Sequence, residues 1–274
     1  MSDFLTTMAE SSLLRAAETR ARSDVTGLTS RASSAVPVVP LHLPEAGFDL
    51  IAEAKLSSPA DGPLVTTDDP PRRVVELASL FEEAGAAVVS VLTEPTRFGG
   101  QLDHLEATAA AIDLPVMRKD FLVDPIQVLE ARAAGASGVL LIARLTDPSL
   151  LIEMTDTALG FGMFVLVEVF DETDLERISV VVDRDVLVGV NTRDLSTLEV
   201  DPDRLATLAP LLPGHLPAVA ESGLRSPADA GTAAELGYRM ALVGTGLVTT
   251  KAPGETARSL INAGRLVASV ESAQ

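Results

Sequence analysis

Eight short apolar runs rich in valine recur along the chain about every 20 to 35 residues: FDLIAEAK (48–55), AAVVSVLTE (86–94), LPVMRK (114–119), SGVLLIA (137–143), MFVLVEV (163–169), VLVGVN (186–191), LPAVAES (216–222) and MALVG (240–244). Runs this short, bounded by turn residues, read as buried strands. Between them the apolar positions switch to helical spacing, as in VVELASLFEEAG, DPIQVLEARAAG and SPADAGTAAELG, and several of these segments begin at Asp or Ser and close on Gly. Strand followed by helix, eight times, predicts an α/β fold of the (β/α)8 type, a TIM barrel. An open doubly wound sheet gives similar local signals, but no G-x-G-x-x-G follows the first strand and no break in composition divides the chain.

The residues before the first strand contain an amphipathic stretch, SSLLRAAETRARS, and a proline-bearing one, VPVVPLHLPEAG. They predict an extra N-terminal helical segment and a connector that covers one barrel end. The expected organisation is therefore 1–47 as extension and connector and 48–270 as barrel, one structural domain overall. A chain of 274 residues suits it, because such barrels commonly use about 250.

Composition narrows the function. The chain is 47% hydrophobic but only 3% aromatic, so its core is built from Val, Leu, Ile and Ala, as a parallel sheet covered by helices requires. There is no Cys, which removes disulfides, thiolate metal sites and cysteine nucleophiles, and His42, His104 and His215 are too scattered to suggest a metal cluster. A net charge of −18 with no basic stripe argues against nucleic acid. No run approaches the roughly 18 apolar residues of a membrane span, and the N-terminal stretch lacks a basic start followed by an apolar one. A soluble cytoplasmic protein is expected.

In a barrel the chemistry belongs at the C-terminal ends of the strands. Here those ends carry Glu53 and Lys55, Lys119, Glu168, Asn191, and Glu221 with Ser222. The Lys119 position is notable, because lysine occurs only at Lys55, Lys119 and Lys251 in a chain whose other cations are arginine. An ammonium can lose its proton when desolvated, whereas a guanidinium effectively cannot. Residues two apart on a strand share a face, so Glu53 goes with Lys55, Lys119 with Phe121 and, if the strand continues, Asn191 with Arg193. With those faces inward, acids and lysines of different strands meet at one mouth, while Arg118 and Asp120 turn outward with a structural role. A salt-bridge network that merely closes the barrel is the alternative for any one of these residues. As a set they resemble the mutually perturbing charges of a catalytic site. Two glycine-bearing stretches, AESGLRSPAD after the seventh strand and LVGTGLV after the eighth, stand where many barrels hold a phosphate.

The stretches IAEAKLSSPADGP, SVLTEPTRFGGQLDHL, LPVMRKDFLVDPIQVLEARAAGASGVLLIA, LVEV, GVNTRDLSTLEVD, VAESGL and LVGTGLV resemble, in order and at nearly the right spacing, the successive motifs of the indole-3-glycerol phosphate synthase family. The resemblance implies decarboxylation, ring closure and dehydration of 1-(2-carboxyphenylamino)-1-deoxyribulose 5-phosphate, with no metal or organic cofactor. It further implies that Lys119 is the general acid at the ketone oxygen and that Glu168 stabilises the cationic ring or takes a proton. Lys55 would meet the substrate carboxylate or assist dehydration, while Glu53, Asn191 and Glu221 orient these groups. Ser58 and Arg193 would bind anionic groups, and Ser222, Gly223, Gly244 and Thr245 the phosphate. Phe98 and Phe121 would wall the benzene ring. The implied partner is a small phosphorylated aromatic substrate, bound by a monomer, with association with other tryptophan-pathway enzymes as a further option.

The chain also departs from the family pattern. Leu56 stands where the family usually has a basic residue, Ala60-Asp61-Gly62 where it has Ser-Lys-Gly, and about four extra residues precede Phe81 after Pro70. Two rival functions remain on the sequence alone: an aldolase-like barrel with Lys119 or Lys55 as a Schiff-base lysine, and a ligand-binding relative without turnover.

Overall fold

Every one of the eight valine-rich runs forms a strand, and all eight pair in parallel in the computed structural model, which describes residues 4–43, 47–195 and 197–271. The strands are β1 (Asp49–Ala54), β2 (Val88–Leu92), β3 (Val116–Lys119), β4 (Gly138–Ile142), β5 (Phe164–Val169), β6 (Leu187–Asn191), β7 (Ala218–Glu221) and β8 (Met240–Val243). Each neighbours the next in sequence, and β8 returns to β1 with Asp49 opposite Met240, closing the barrel. Closure leaves the barrel sheet itself without a free edge.

The helices are α1 (Phe4–Arg22), α2 (Val25–Ser34), α3 (Pro70–Ala84), α4 (Leu102–Ala109), α5 (Pro125–Ala133), α6 (Pro148–Gly160), α7 (Glu172–Ile178), α8 (Arg204–Leu208), α9 (Pro227–Glu235), α10 (Thr245–Val248) and α11 (Pro253–Glu271). Four of them start with one local device. Asp69, Asp124, Asp147 and Ser226 cap the first turn through their side chains, and a proline follows each. The cap satisfies an orphan N–H, and proline lacks the one that would have been wasted. The whole stretch from Pro70 to Phe81 lies within α3.

The N-terminal segment is larger than SSLLRAAETRARS predicts. α1 begins at Phe4, and a second helix, α2, follows under an Asp24 cap and packs on α5. VTGLTSRASS has few apolar residues, so its periodicity is faint; only Leu28 and Ala32 are buried. The end of the proline-bearing connector, residues 44–46, lies outside the described residues.

Alternation along the strands separates two cores. Leu50, Ala52, Val89, Val91, Val139, Val165 and Val188 pack outward against the helices. Ile51, Val88, Met117, Leu140, Leu166, Leu187, Val219 and Met240 fill the barrel interior. Below this apolar plug only Asp49, opposite Met240 and paired with Arg265, is polar among the inward strand positions described, and above it the strand C-termini carry the polar side chains of the site.

Candidate active site

One inward position above the apolar plug, the strands present Glu53 after Ile51, Lys119 after Met117, Glu168 after Leu166 and Glu221 after Val219; Asn191 stands above Leu187 and Gly189. The sequence-predicted convergence is present. A pocket at the mouth is lined by Glu53, Lys55, Lys119, Asn191, Arg193 and Glu221 together with Phe98 and the loops after β7 and β8. Glu168 lies just beneath it, with Lys119 Nζ 3.5 Å from its Oε2, while Lys55 Nζ is 2.8 Å from Glu53 Oε1. Among the described residues no group of three or more His, Asp or Glu side chains is arranged to hold a metal ion.

The charges set one another. Burial by itself would depress the Lys119 ammonium, but Glu168, Glu53 and, when ionised, Glu221 outweigh it and hold its pKa above the ordinary lysine value. The sequence suggests desolvation as the route by which Lys119 sheds its proton; the surrounding carboxylates reverse that direction. Burial would raise the Glu53 carboxyl, yet Lys55 and Lys119 bring it below the usual carboxylate range. Glu221 goes the other way, raised by burial and by the neighbouring Glu168 carboxylate against the opposing pull of Lys119.

Arg118 and Asp120 face away from the pocket, as alternation demands. Arg118 donates to the Gln127 carbonyl at 2.8 Å and to Thr93 Oγ1 at 3.0 Å. Asp120 accepts two hydrogen bonds from Arg15 of α1, at 2.7 and 2.8 Å, and one from Thr93 at 2.7 Å. Both residues are buried. They clamp α1 and α5 to the tip of β3, with Lys119 between them in sequence facing the site.

The loops complete the walls. Glu94 accepts from the backbone N–H groups of Thr96, Arg97 and Phe98 at 2.9, 2.7 and 3.1 Å, which fixes the turn that presents Phe98. Phe121 stands behind Phe98 (ring centroids 6.1 Å apart) and is met edge-on by Phe4 of α1 at 5.9 Å; Arg97 lies 5.6 Å from the Phe4 ring centre. A second cleft, lined by Phe4, Met8, Arg97 and Leu198, adjoins the pocket through Leu195, which lines both. Arg193 reaches the pocket while Nη1 donates to the Leu198 carbonyl at 2.7 Å and its N–H to Asn191 Oδ1 at 2.9 Å.

At the opposite side, Ser222 and Gly223 both adopt positive φ, 66° and 77°. For Ser222 this left-handed conformation is unusual and carries strain on the order of 1–3 kcal/mol. Together with Gly244 and Thr245, where the first-turn N–H groups of α10 have no intrahelical carbonyl to bond, Ser222 and Gly223 line one end of the pocket. A Cβ at Gly246 would lie 2.8 Å from the Leu224 carbonyl, so the two loops touch there as one cradle. Three predicted residues do not line the pocket: Glu168, which lies beneath it, Phe121, which stands behind Phe98, and Ser58. The Ser58 hydroxyl is bound to Asp61, both donating to Oδ2 at 2.9 Å and accepting from the backbone N–H at 3.0 Å. Asp61 Oδ2 in turn lies 3.4 Å from the Thr245 hydroxyl, so this acid stands beside the cradle.

Reading the sequence missed Phe4, Glu94 and Gly189, and gave Gly244, named for the phosphate, only part of its role. A Cβ at Gly244 would fall 2.1 Å from Glu53 Oε1, and one at Gly189 would fall 1.9 Å from Glu221 Oε1. Both glycines make room for carboxylates, a role beyond the backbone donation expected of Gly244. The available signal was spacing: each sits at an inward position in the polar level.

The family pattern described as indole-3-glycerol phosphate synthase matches residues 11–260. A relative of that name from Parafrankia sp. (strain EAN1pec) is 49% identical over 215 residues, 78% of this chain and 78% of the relative. One from Mycobacterium leprae (strain Br4923) is 44% identical over 238 residues, 85% of each chain. Among solved structures, 3-hexulose-6-phosphate synthase from Salmonella typhimurium superimposes with a TM-score of 0.64 at 16% identity, covering 80% of this chain and 99% of the other. That likeness shows the barrel fold alone.

Proposed function

The chain belongs to the indole-3-glycerol phosphate synthase family, and on that premise we propose that it is a carboxy-lyase that converts 1-(2-carboxyphenylamino)-1-deoxyribulose 5-phosphate to indole-3-glycerol phosphate, CO2 and water. The observation that carries this reading is Lys119, ion-paired to Glu168 at the mouth of a pocket that ends in the Ser222–Gly223 and Gly244–Thr245 cradle. The substrate is anionic at both ends and electrophilic in the middle. A cradle of backbone N–H groups suits its phosphate, the ring pocket beside Phe98 suits its arene, and Lys55 and Arg193 suit its carboxylate.

Lys119 is the general acid of ring closure. As the carboxylate-bearing ring carbon attacks the ketone carbon, the carbonyl oxygen becomes an alkoxide with basicity approaching that of hydroxide, whose conjugate acid has a pKa of about 15.7. An ammonium with a raised pKa still gives its proton to such a base, and it stays charged at neutral pH until that moment. Loss of CO2 restores the arene. Dehydration then removes the new hydroxyl and a proton from the adjacent ring carbon, which needs an acid and a base together. Lys55, held by Glu53, serves as that acid, and the Glu168 carboxylate stabilises the iminium-like charge before taking a proton. Asn191 and Glu221 orient these groups.

The raised Lys119 disfavours the Schiff-base alternative, because an amine nucleophile must be neutral and is activated by a depressed pKa. The direct test is the indole fluorescence of the product, which the protein does not obscure because it has no Trp. Growth of that signal with release of one CO2 per turnover supports the reading. Binding of the substrate without either would contradict it.

A further inference from the structure

The inward positions of β6 are Leu187, Gly189 and Asn191, and Gly189 contributes no side chain to the level it occupies, where Glu168 is its partner on β5 and Val219 on β7. A methyl group there would lie 1.9 Å from Glu221 Oε1 and 3.1 Å from Leu166 Cδ1. The space that belongs to position 189 is thus filled by Glu221, reaching across from the neighbouring strand. Folded into it, Glu221 is buried and neither of its oxygens receives a hydrogen bond; Glu168 Oε2 receives none either.

We propose that Gly189 is a positioning residue: its missing side chain seats the Glu221 carboxyl against Glu168, so that Glu221 enters the reaction as a neutral hydrogen-bond donor rather than as a further anion beside Lys119. Glu168 has the Lys119 ammonium 3.5 Å from its Oε2, whereas Glu221 has no donor on either oxygen, and two adjacent buried carboxyls so unequally supported do not both remain charged. A proton on Glu221 turns their repulsion into a hydrogen bond to Glu168. The groups facing Glu221 are Glu168 on β5, Lys119 on β3 and Glu53 on β1, with Lys55 and Arg193 beyond Glu53. Burial and Glu168 push the Glu221 carboxyl well above its ordinary pKa, toward the neutral form, and Lys119 opposes them without prevailing. The site then sets Lys55, Lys119 and Arg193 against Glu53 and Glu168, a surplus of one positive charge with which to meet an anionic substrate. Seating Glu221 higher, in the mouth, would ionise it and cancel that surplus.

The inference rests on the proposed reaction, so its test includes a readout that does not. Infrared difference spectra at neutral pH should show the carbonyl band of a neutral carboxylic acid in the parent that Glu221→Gln lacks and Gly189→Ala has lost. In Gly189→Ala the alkaline limb of the kcat–pH profile, which reports loss of the Glu221 proton, should move toward acid, with a several-fold loss of kcat at pH 8. In the Glu221→Gln background the same alanine should leave the profile in place, because a displaced amide changes no charge. If Gly189→Ala does not fold, Glu221→Asp supplies the comparison: its shorter side chain vacates the space, and Gly189→Ala should then be tolerated. A parent without the acid band, an alanine effect equal in all three backgrounds, or an unshifted profile would overturn the proposal. Failure of the indole assay with the band present would instead count against the reaction alone.

Discussion

Replacing Asp120 by Asn tests whether the outward face of the Arg118-Lys119-Asp120 segment is a structural clamp. Burial would raise the Asp120 carboxyl, but hydrogen bonding to Arg15 and the charges of Arg118 and Arg15 bring it from 3.8 down to about 2. One unit is worth about 1.4 kcal/mol, so the ionised carboxylate stabilises the fold by about 2 kcal/mol. The native pKa is the depressed one. The contribution is therefore complete above about pH 4 and disappears as the pH falls through about 2. Asn keeps the shape and mimics the protonated acid, so Asp120→Asn should lower the melting temperature by about 4–8 °C at neutral pH, taking roughly 2–4 °C per kcal/mol for a chain of this size. Thermal melts of both proteins by circular dichroism, from pH 7 down to the lowest pH at which both fold, give the difference directly, and other carboxylates titrate equally in both. A gap that stays constant between pH 5 and pH 2.5, or widens, would refute the assignment of the stabilisation to this charge.

Two further outcomes follow from the site. Asp61→Asn removes an acid 3.4 Å from the Thr245 hydroxyl beside the phosphate cradle, so KM should fall several-fold at low salt and the gain should shrink as salt is added; a gain indifferent to salt would mean that Asp61 acts through loop shape instead of charge. Borohydride treatment in the presence of a ketose phosphate should leave Lys119 and Lys55 unmodified, as mass spectrometry of the digest would show, because Lys119 is held protonated; a reduced adduct on either lysine would revive the aldolase-like reading.

The barrel was legible because parallel strands buried on both faces make continuous apolar runs, and alternation then assigned Lys119 inward and Arg118 and Asp120 outward. Both assignments hold in the structure. What sequence could not supply was the company each charge keeps. Lys119 alone on an apolar strand suggests a depressed amine, and only the closing of the barrel brings Glu168, Glu53 and Glu221 around it. Gly189 is silent for a similar reason, since an inward glycine acquires meaning from the Glu221 side chain of a strand some 30 residues on. Phe4 and α2 were missed because their signals are weak: one aromatic near the start of the chain, and a helix with two buried residues.

The central claim is that Lys119 gives up a proton in the transition state of ring closure. Its most direct test is single-turnover kinetics of Lys119→Met and Lys119→Arg, with substrate affinity measured separately by titration. Loss of a general acid should slow the chemical step by about 10²- to 10⁴-fold while changing affinity far less, and arginine should not rescue it, since it keeps the charge but not the transferable proton. Turnover within a few-fold of the parent in Lys119→Met, or a slow step restored by arginine, would contradict the account.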